Sequence, residues 1–170
     1  MRQVRLSKGF TLIELVIVVT IIAITVGYAA PRLFTGFTTS GLDQATRDLS
    51  TIVQYTQSQA VKRHKAYYMR FDFDEALVGM YPRPEGSGLE PELEKKIKLP
   101  DGVTLKGVKS PYQPTKEQGR IDIAVTSEGV VEPAVIYLEG AQNKVYTLEI
   151  KPFSGKFRIH DHYVEKTYAG

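Results

Sequence analysis

The chain has 170 residues, a formal net charge of +3 and no cysteine. That length allows one membrane helix and one small domain, and the missing cysteines exclude a disulfide scaffold, so an exported domain must rely on its core. Three of the 22 Lys and Arg stand at Arg2, Arg5 and Lys8; without them 19 cations face 19 acids, so the basic balance belongs to residues 1–9 and gives no ground for nucleic-acid binding by the rest.

The chain is organised around Lys8-Gly9-Phe10-Thr11-Leu12-Ile13-Glu14-Leu15 and the apolar run that follows. From Phe10 to Ala30 only Glu14 is charged. As a helix this run covers about 31 Å, roughly one bilayer core. The cationic leader predicts a cytoplasmic N-terminus and a domain on the outside. Two features differ from a secretory signal. The processing-like Gly9-Phe10 precedes the apolar segment instead of following it, and a carboxylate sits inside the segment. Alone in lipid, Glu14 would cost about 3 kcal/mol, so it needs a partner.

Pro31 follows the run and predicts a bend, with residues 32–41, which hold Gly36 and Gly41, as weak or loosened helix. Leu42, Ala45, Leu49, Ile52, Val53, Thr56 and Ala60 then recur at three- and four-residue spacing. Ser40 is the candidate N-cap, with Asp43 three residues on, and the helix should stop near His64 or Lys65. Residues 10–65 thus read as one long, interrupted helix, whose amphipathic second half needs a sheet to cover it.

From Ala66 the period changes to two. Tyr67, Met69, Phe71 and Phe73 alternate with Tyr68, Arg70, Asp72 and Asp74, a strand with Ala76–Tyr81 as its hairpin partner. Residues 82–94 read as a loop, with a solvated group of acids over 85–94. Short strands are predicted at 97–99 and 103–108, a second loop at 110–119, and further strands at 121–125, 134–138, 145–150 and 156–160. Gly-rich turns separate them, which suggests antiparallel sheets.

The leader residues resemble the class III signal of type IV pilins and type II secretion pseudopilins. The resemblance implies that a prepilin peptidase cuts between Gly9 and Phe10 and that the new Phe10 amine is N-methylated. It implies that Glu14 neutralises the terminal amine of a neighbouring subunit; a charge in lipid is tolerable when an opposite charge meets it. Downstream, Gln59-Ala60-Val61-Lys62-Arg63, Ile121–Gly129, Val135–Leu138 and Leu148–Arg158 resemble the type II secretion protein H family and its relatives among pilus minor pilins. The absence of a C-terminal cysteine pair leans away from a major pilin.

The implied fold class is α+β and pilin-like: a long N-terminal helix, its first half transmembrane, packed on a small two-sheet antiparallel β domain. The implied organisation is a cleaved leader over 1–9, a transmembrane helix over 10–30, an amphipathic continuation over 31–65 and a globular β domain over 66–170. The implied function is that of a minor pseudopilin at or near the tip of the type II secretion pseudopilus, not an enzyme. Its partners would be other minor pseudopilins, the major pseudopilin, the prepilin peptidase, the inner-membrane assembly platform and membrane lipid. The place is the inner membrane, single-pass, with the domain periplasmic. The alternative is a minor pilin of a type IV pilus, binding DNA for uptake.

Chemistry-bearing residues are few. His160 and His162, two apart on a strand end, share a side, but no third ligand at suitable spacing accompanies them, so no metal and no cofactor is expected. Some pseudopilins bind calcium, but an EF-hand pattern is missing around the acids of 85–94. No Gly-rich phosphate loop, nucleophile elbow or metalloprotease helix is present. Gly155-Lys156-Phe157-Arg158 partly resembles the Gly-Arg-x-Arg element of DNA-binding minor pilins, with Lys in place of the first Arg. Asp161 and Glu165 follow and weaken a phosphate-binding field, so Lys156 and Arg158 read as solvent-facing cations ahead of DNA contacts.

Overall fold

The structure is a computed structural model that describes residues 12–84 and 90–165; within the long helix, side chains are described over 12–25 and from Gly41 on. The basic leader and Gly9-Phe10 lie outside the described residues, as do the side chains of Pro31 and Ser40. Among the described residues no helix is long and apolar enough to cross a membrane.

Helix α1 spans Leu12–Arg63. Its residues to Phe37 belong to one compact unit, and Thr38 onward to a second. Residues 32–41, read as weak or loosened helix, are helical throughout, and Ser40 lies within the helix instead of capping a new one. The helix ends one residue before the predicted stop. His64 takes a left-handed φ of 51°. Its N–H donates to Val61 O at 3.3 Å, and the Lys65 N–H donates to Ala60 O at 3.2 Å. These two bonds form a Schellman cap, here without the usual glycine.

Nine strands follow: β1 Tyr67–Asp72, β2 Leu77–Pro82, β3 Lys95–Lys98, β4 Thr104–Ser110, β5 Gln113–Lys116, β6 Arg120–Val125, β7 Val135–Glu139, β8 Val145–Ile150 and β9 Phe157–His160. They form two antiparallel sheets, ordered β3-β2-β1-β6 and β5-β4-β7-β8-β9. The second loop, predicted over 110–119, contains β5. That strand pairs with β4 alone, through Val108–Lys116 and Ser110–Gln113 with an irregular register. It is a short, exposed edge carrying Pro114, so no apolar alternation marks it. Likewise β3 starts at Lys95, two residues before the predicted strand, because edge lysines hide its start.

The core of the second unit lies between α1 and both sheets. Leu42, Ala45, Leu49, Ile52, Val53 and Ala60 are fully buried, the stripe predicted from spacing. They join Met69, Phe71 and Ile123 of the first sheet and Ile136, Leu138 and Leu148 of the second. Each large apolar side chain buried there stabilises by about 1.5–3 kcal/mol. Thr56, also in the stripe, donates to Ile52 O at 2.7 Å, so its hydroxyl is satisfied inside the core.

Candidate functional site

The first unit carries the strongest surface feature. Leu12, Ile13, Leu15, Val16, Ile17, Val18, Val19, Ile21, Ile22 and Ile24 are all exposed on the described turns of α1, Leu12 at 82 %. They surround the helix. An apolar sleeve of that extent requires lipid or other apolar helices around it. The hydroxyls within it are turned back onto the helix: Thr20 donates to Val16 O and Thr25 to Ile21 O, both at 2.7 Å. Back-bonding of this kind leaves no hydroxyl donor facing an apolar medium. Glu14 is the one carboxylate on these turns, with Ile17 and Val18 three and four residues on along its side.

Lys156 and Arg158 are exposed, as predicted for solvent-facing cations. Arg158 sits opposite Glu149 across β8 and β9, with Nη1 3.7 Å from Oε2. Its charge is therefore partly spent within the sheet. His160 and His162 do share a side, with ring centroids 6.0 Å apart. His162 Nδ1 lies 3.0 Å from Asp161 Oδ1. Among the described residues no group of three or more His, Cys, Asp or Glu gathers as a metal site.

Glu90 and Glu94, read as part of a solvated loop, are not simply solvated. Glu94 accepts from Arg63 at 2.8 Å and from Tyr67 at 3.2 Å. Glu90 pairs with Arg120 and lies 3.5 Å from Arg70. Leu93 lies over Gly79, where a Cβ would meet its side chain. Glu90 and Leu93 thus lie against the outer face of the first sheet, and Glu94 meets the end of α1.

Beneath them is a polar network that the sequence pattern did not single out. The Arg70 guanidinium donates through Nε and Nη2 to both oxygens of Asp122, at 2.9 and 3.0 Å. Tyr81 Oη donates to Asp122 Oδ2 at 2.7 Å. Asp72, 3 % exposed, accepts from the Asp74 and Glu75 N–H groups at 3.0 and 2.9 Å and from Arg120 at 2.6 Å. The bond to Asp122 raises the Arg70 pKa, and burial together with Asp122 pushes the Tyr81 hydroxyl up. At Asp72 burial raises the pKa, but the two N–H groups and Arg120 outweigh it and hold the carboxyl below its ordinary value. One signal was available, the alternation of polar Arg70 and Asp72 with apolar residues along β1; the β1–β6 pairing that sets Asp122 and Arg120 opposite them joins strands distant in sequence. This constellation is structural, a satisfied outer face on a small sheet.

The outer face of the second sheet is covered too. Thr147 donates to His162 O at 2.8 Å and accepts from the Val164 N–H at 3.1 Å, while Tyr137 and Tyr163 stack at 5.0 Å. With both outer faces occupied, the most prominent remaining feature is the apolar sleeve.

Residues 4–30 match the prokaryotic N-terminal methylation motif. Over 141 residues the chain is 30% identical to type II secretion system protein H of Pseudomonas aeruginosa, covering 76% of this chain and 81% of that protein. The fold is similar to the minor pseudopilin EpsH from the type 2 secretion system of Vibrio cholerae, with a TM-score of 0.51, 13% identity and coverage of 70% of this chain and 95% of that one. The type IV minor pilin FimU of Pseudomonas aeruginosa matches at a TM-score of 0.48 and 18% identity, over 70% of this chain and 87% of that one. The α+β pilin-like fold with two antiparallel sheets, the N-terminal motif and the shared identity converge: the chain belongs to the type II secretion system protein H family.

Proposed function

We propose that this chain is a minor pseudopilin, a structural subunit at or near the tip of the type II secretion pseudopilus that supports protein export across the outer membrane. The observation that carries the reading is the 30% identity to type II secretion system protein H over 141 residues. The apolar sleeve supports it physically, since such a surface calls for a bilayer before assembly and a bundle of like helices after it.

In this reading residues 1–9 are a leader that a prepilin peptidase removes between Gly9 and Phe10, and Phe10 becomes N-methylated. Residues 10–30 anchor the subunit in the inner membrane with the N-terminus cytoplasmic. Residues 31–65 continue the helix, and 66–170 stand in the periplasm. Glu14 pairs with the terminal amine of a neighbouring subunit, which offsets the cost of a carboxylate in an apolar bundle and fixes the axial register. Other minor pseudopilins, the major pseudopilin and the inner-membrane assembly platform are the partners, and the role is structural instead of enzymatic.

Intact mass of the chain from cells with and without the prepilin peptidase tests the processing step. The expected mature chain begins at Phe10 and carries one extra methyl group. A chain that still begins at Met1 in peptidase-positive cells contradicts the reading.

A further inference from the structure

Residues 161–165 turn back over the outer face of their own sheet, and two side chains of that sheet hold them there. The Thr147 hydroxyl grips the segment twice, donating to His162 O at 2.8 Å and accepting from the Val164 N–H at 3.1 Å. Tyr137 Oη donates to Val164 O at 3.2 Å, and its ring stacks on that of Tyr163. Among the described residues no backbone-to-backbone hydrogen bond reaches 161–165. Strand β9, which precedes the segment, is instead paired along its length with β8. The pairing stops at His160, and beyond it the chain is fastened by side chains alone.

The cover is thin and what it covers is fully buried. Tyr163 is 56 % exposed, whereas Thr147 beneath it is at 0 % and Tyr137 at 5 %. A segment with few buried contacts and no ladder bonds opens at a lower free energy than the whole fold. One group favours opening. His160 Nε2 is buried without a hydrogen-bond partner, and the His162 ring lies 6.0 Å from the His160 ring. Lifting the segment takes the His162 ring away and lets water satisfy that nitrogen. Beside the segment is a hollow of about 420 Å³, bounded by Tyr137, Tyr163 and Glu165 and by Lys106, Gly107 and Lys109 of β4. Gly107 pairs with Tyr137 across β4 and β7 and puts no side chain on the floor between them. With Tyr163 lifted the hollow loses one wall and runs on to Thr147.

We propose that residues 161–165 are a releasable strap, latched by the Thr147 hydroxyl, that lifts while both sheets stay folded. Lifting converts the hollow into an open groove across β4, β7 and β8, with Tyr137 and Thr147 on its floor. The latch is one hydroxyl serving as donor and acceptor at once, so a single substitution removes both of its bonds to the strap.

The test uses the full chain in detergent, with hydrogen exchange read by mass spectrometry and tyrosine acylation by N-acetylimidazole. Amides of 161–165 should exchange at least ten-fold faster than those of β8. Tyr137 should be acylated at the rate of strap opening, while Tyr67, buried in the core, stays unreacted. Thr147→Val keeps the shape and removes the hydroxyl. It should raise strap exchange and Tyr137 acylation about ten-fold, the weight of a lost hydrogen bond, with β8 and Tyr67 unchanged. Thr147→Ser keeps the hydroxyl and should stay within about two-fold of the wild-type rates. Exchange of the strap in step with β8, or acylation of Tyr137 only together with Tyr67, means that the segment opens with the whole domain and overturns the proposal. Thr147→Val rates equal to wild type overturn it as well, and so does a rise in all rates together, which would make the hydroxyl a support of the sheet instead of a latch.

Discussion

The side-chain amide of Gln57 donates to Gly129 O at 2.6 Å, and the same side chain lies under Gly155. One helical residue thus holds two turns of the β domain, 127–129 and 153–155, against the end of α1. Gly129 and Gly155 both take positive φ, at 82° and 60°, which glycine adopts without strain.

Gln57→Ala should cost about 1–2 kcal/mol by removing a partly buried hydrogen bond. Gly155→Ala should cost more, because it adds left-handed strain to overlap with Gln57. In the double variant the overlap disappears while the strain stays, so the combined loss should fall short of the sum. Urea unfolding of the full chain in detergent measures all three; strict additivity would mean the two residues do not share a contact.

His64 occupies the left-handed position of the helix cap with a φ of 51°. His64→Gly should stabilise the chain by about 0.5–1 kcal/mol, since relief of about 1–2 kcal/mol of strain exceeds the extra chain entropy of glycine. A lower unfolding midpoint for the variant would show that the imidazole makes a compensating contact.

Asp72 carries the clearest acid-limb prediction. Burial raises its pKa, but the Asp74 and Glu75 N–H groups and Arg120 outweigh that effect and hold the carboxyl below its ordinary value in the fold. A depressed carboxyl stabilises the fold fully above its unfolded pKa and loses that contribution as pH falls through the folded value. The loss therefore begins near pH 4 and grows below it. Asp72→Asn should be less stable than wild type at pH 6, and the gap should narrow by pH 3. An equal gap at both values would show that Asp72 does not titrate with folding.

Much of this arrangement was legible in the sequence because it is carried by periodicity. The stripe from Leu42 to Ala60 and the alternation from Tyr67 to Phe71 report directly which faces are buried. What stayed hidden is carried by charge or by the edge of a sheet. Strand β5 has no apolar face to announce it, and Lys95 marks an edge instead of a core position. Glu90 and Glu94 looked like solvent residues because their partners, Arg120, Arg70 and Arg63, are distant in sequence. Gln57 could not be singled out at all, since its role depends on two turns 72 and 98 positions away meeting at one helical residue. At the N-terminal end the motif itself was legible, and Glu14 stood out because nothing else in the apolar run is charged.

Glu14→Ala should block incorporation into the pseudopilus and leave the unfolding midpoint of the β domain unchanged, because in the proposed role the carboxylate acts between subunits. Fractionation of sheared pseudopili by immunoblot measures incorporation. Glu14→Asp should recover part of it, since charge is kept while reach is shortened. Normal incorporation of Glu14→Ala would remove Glu14 from assembly.

The most direct measurement is the distribution of secreted enzymes between periplasm and medium in a strain lacking this gene, with and without the wild-type gene restored. A minor pseudopilin of type II secretion predicts that the enzymes accumulate in the periplasm and return to the medium on complementation. Normal secretion in the deletion strain, with twitching or DNA uptake lost instead, would contradict it and give the chain to a type IV pilus.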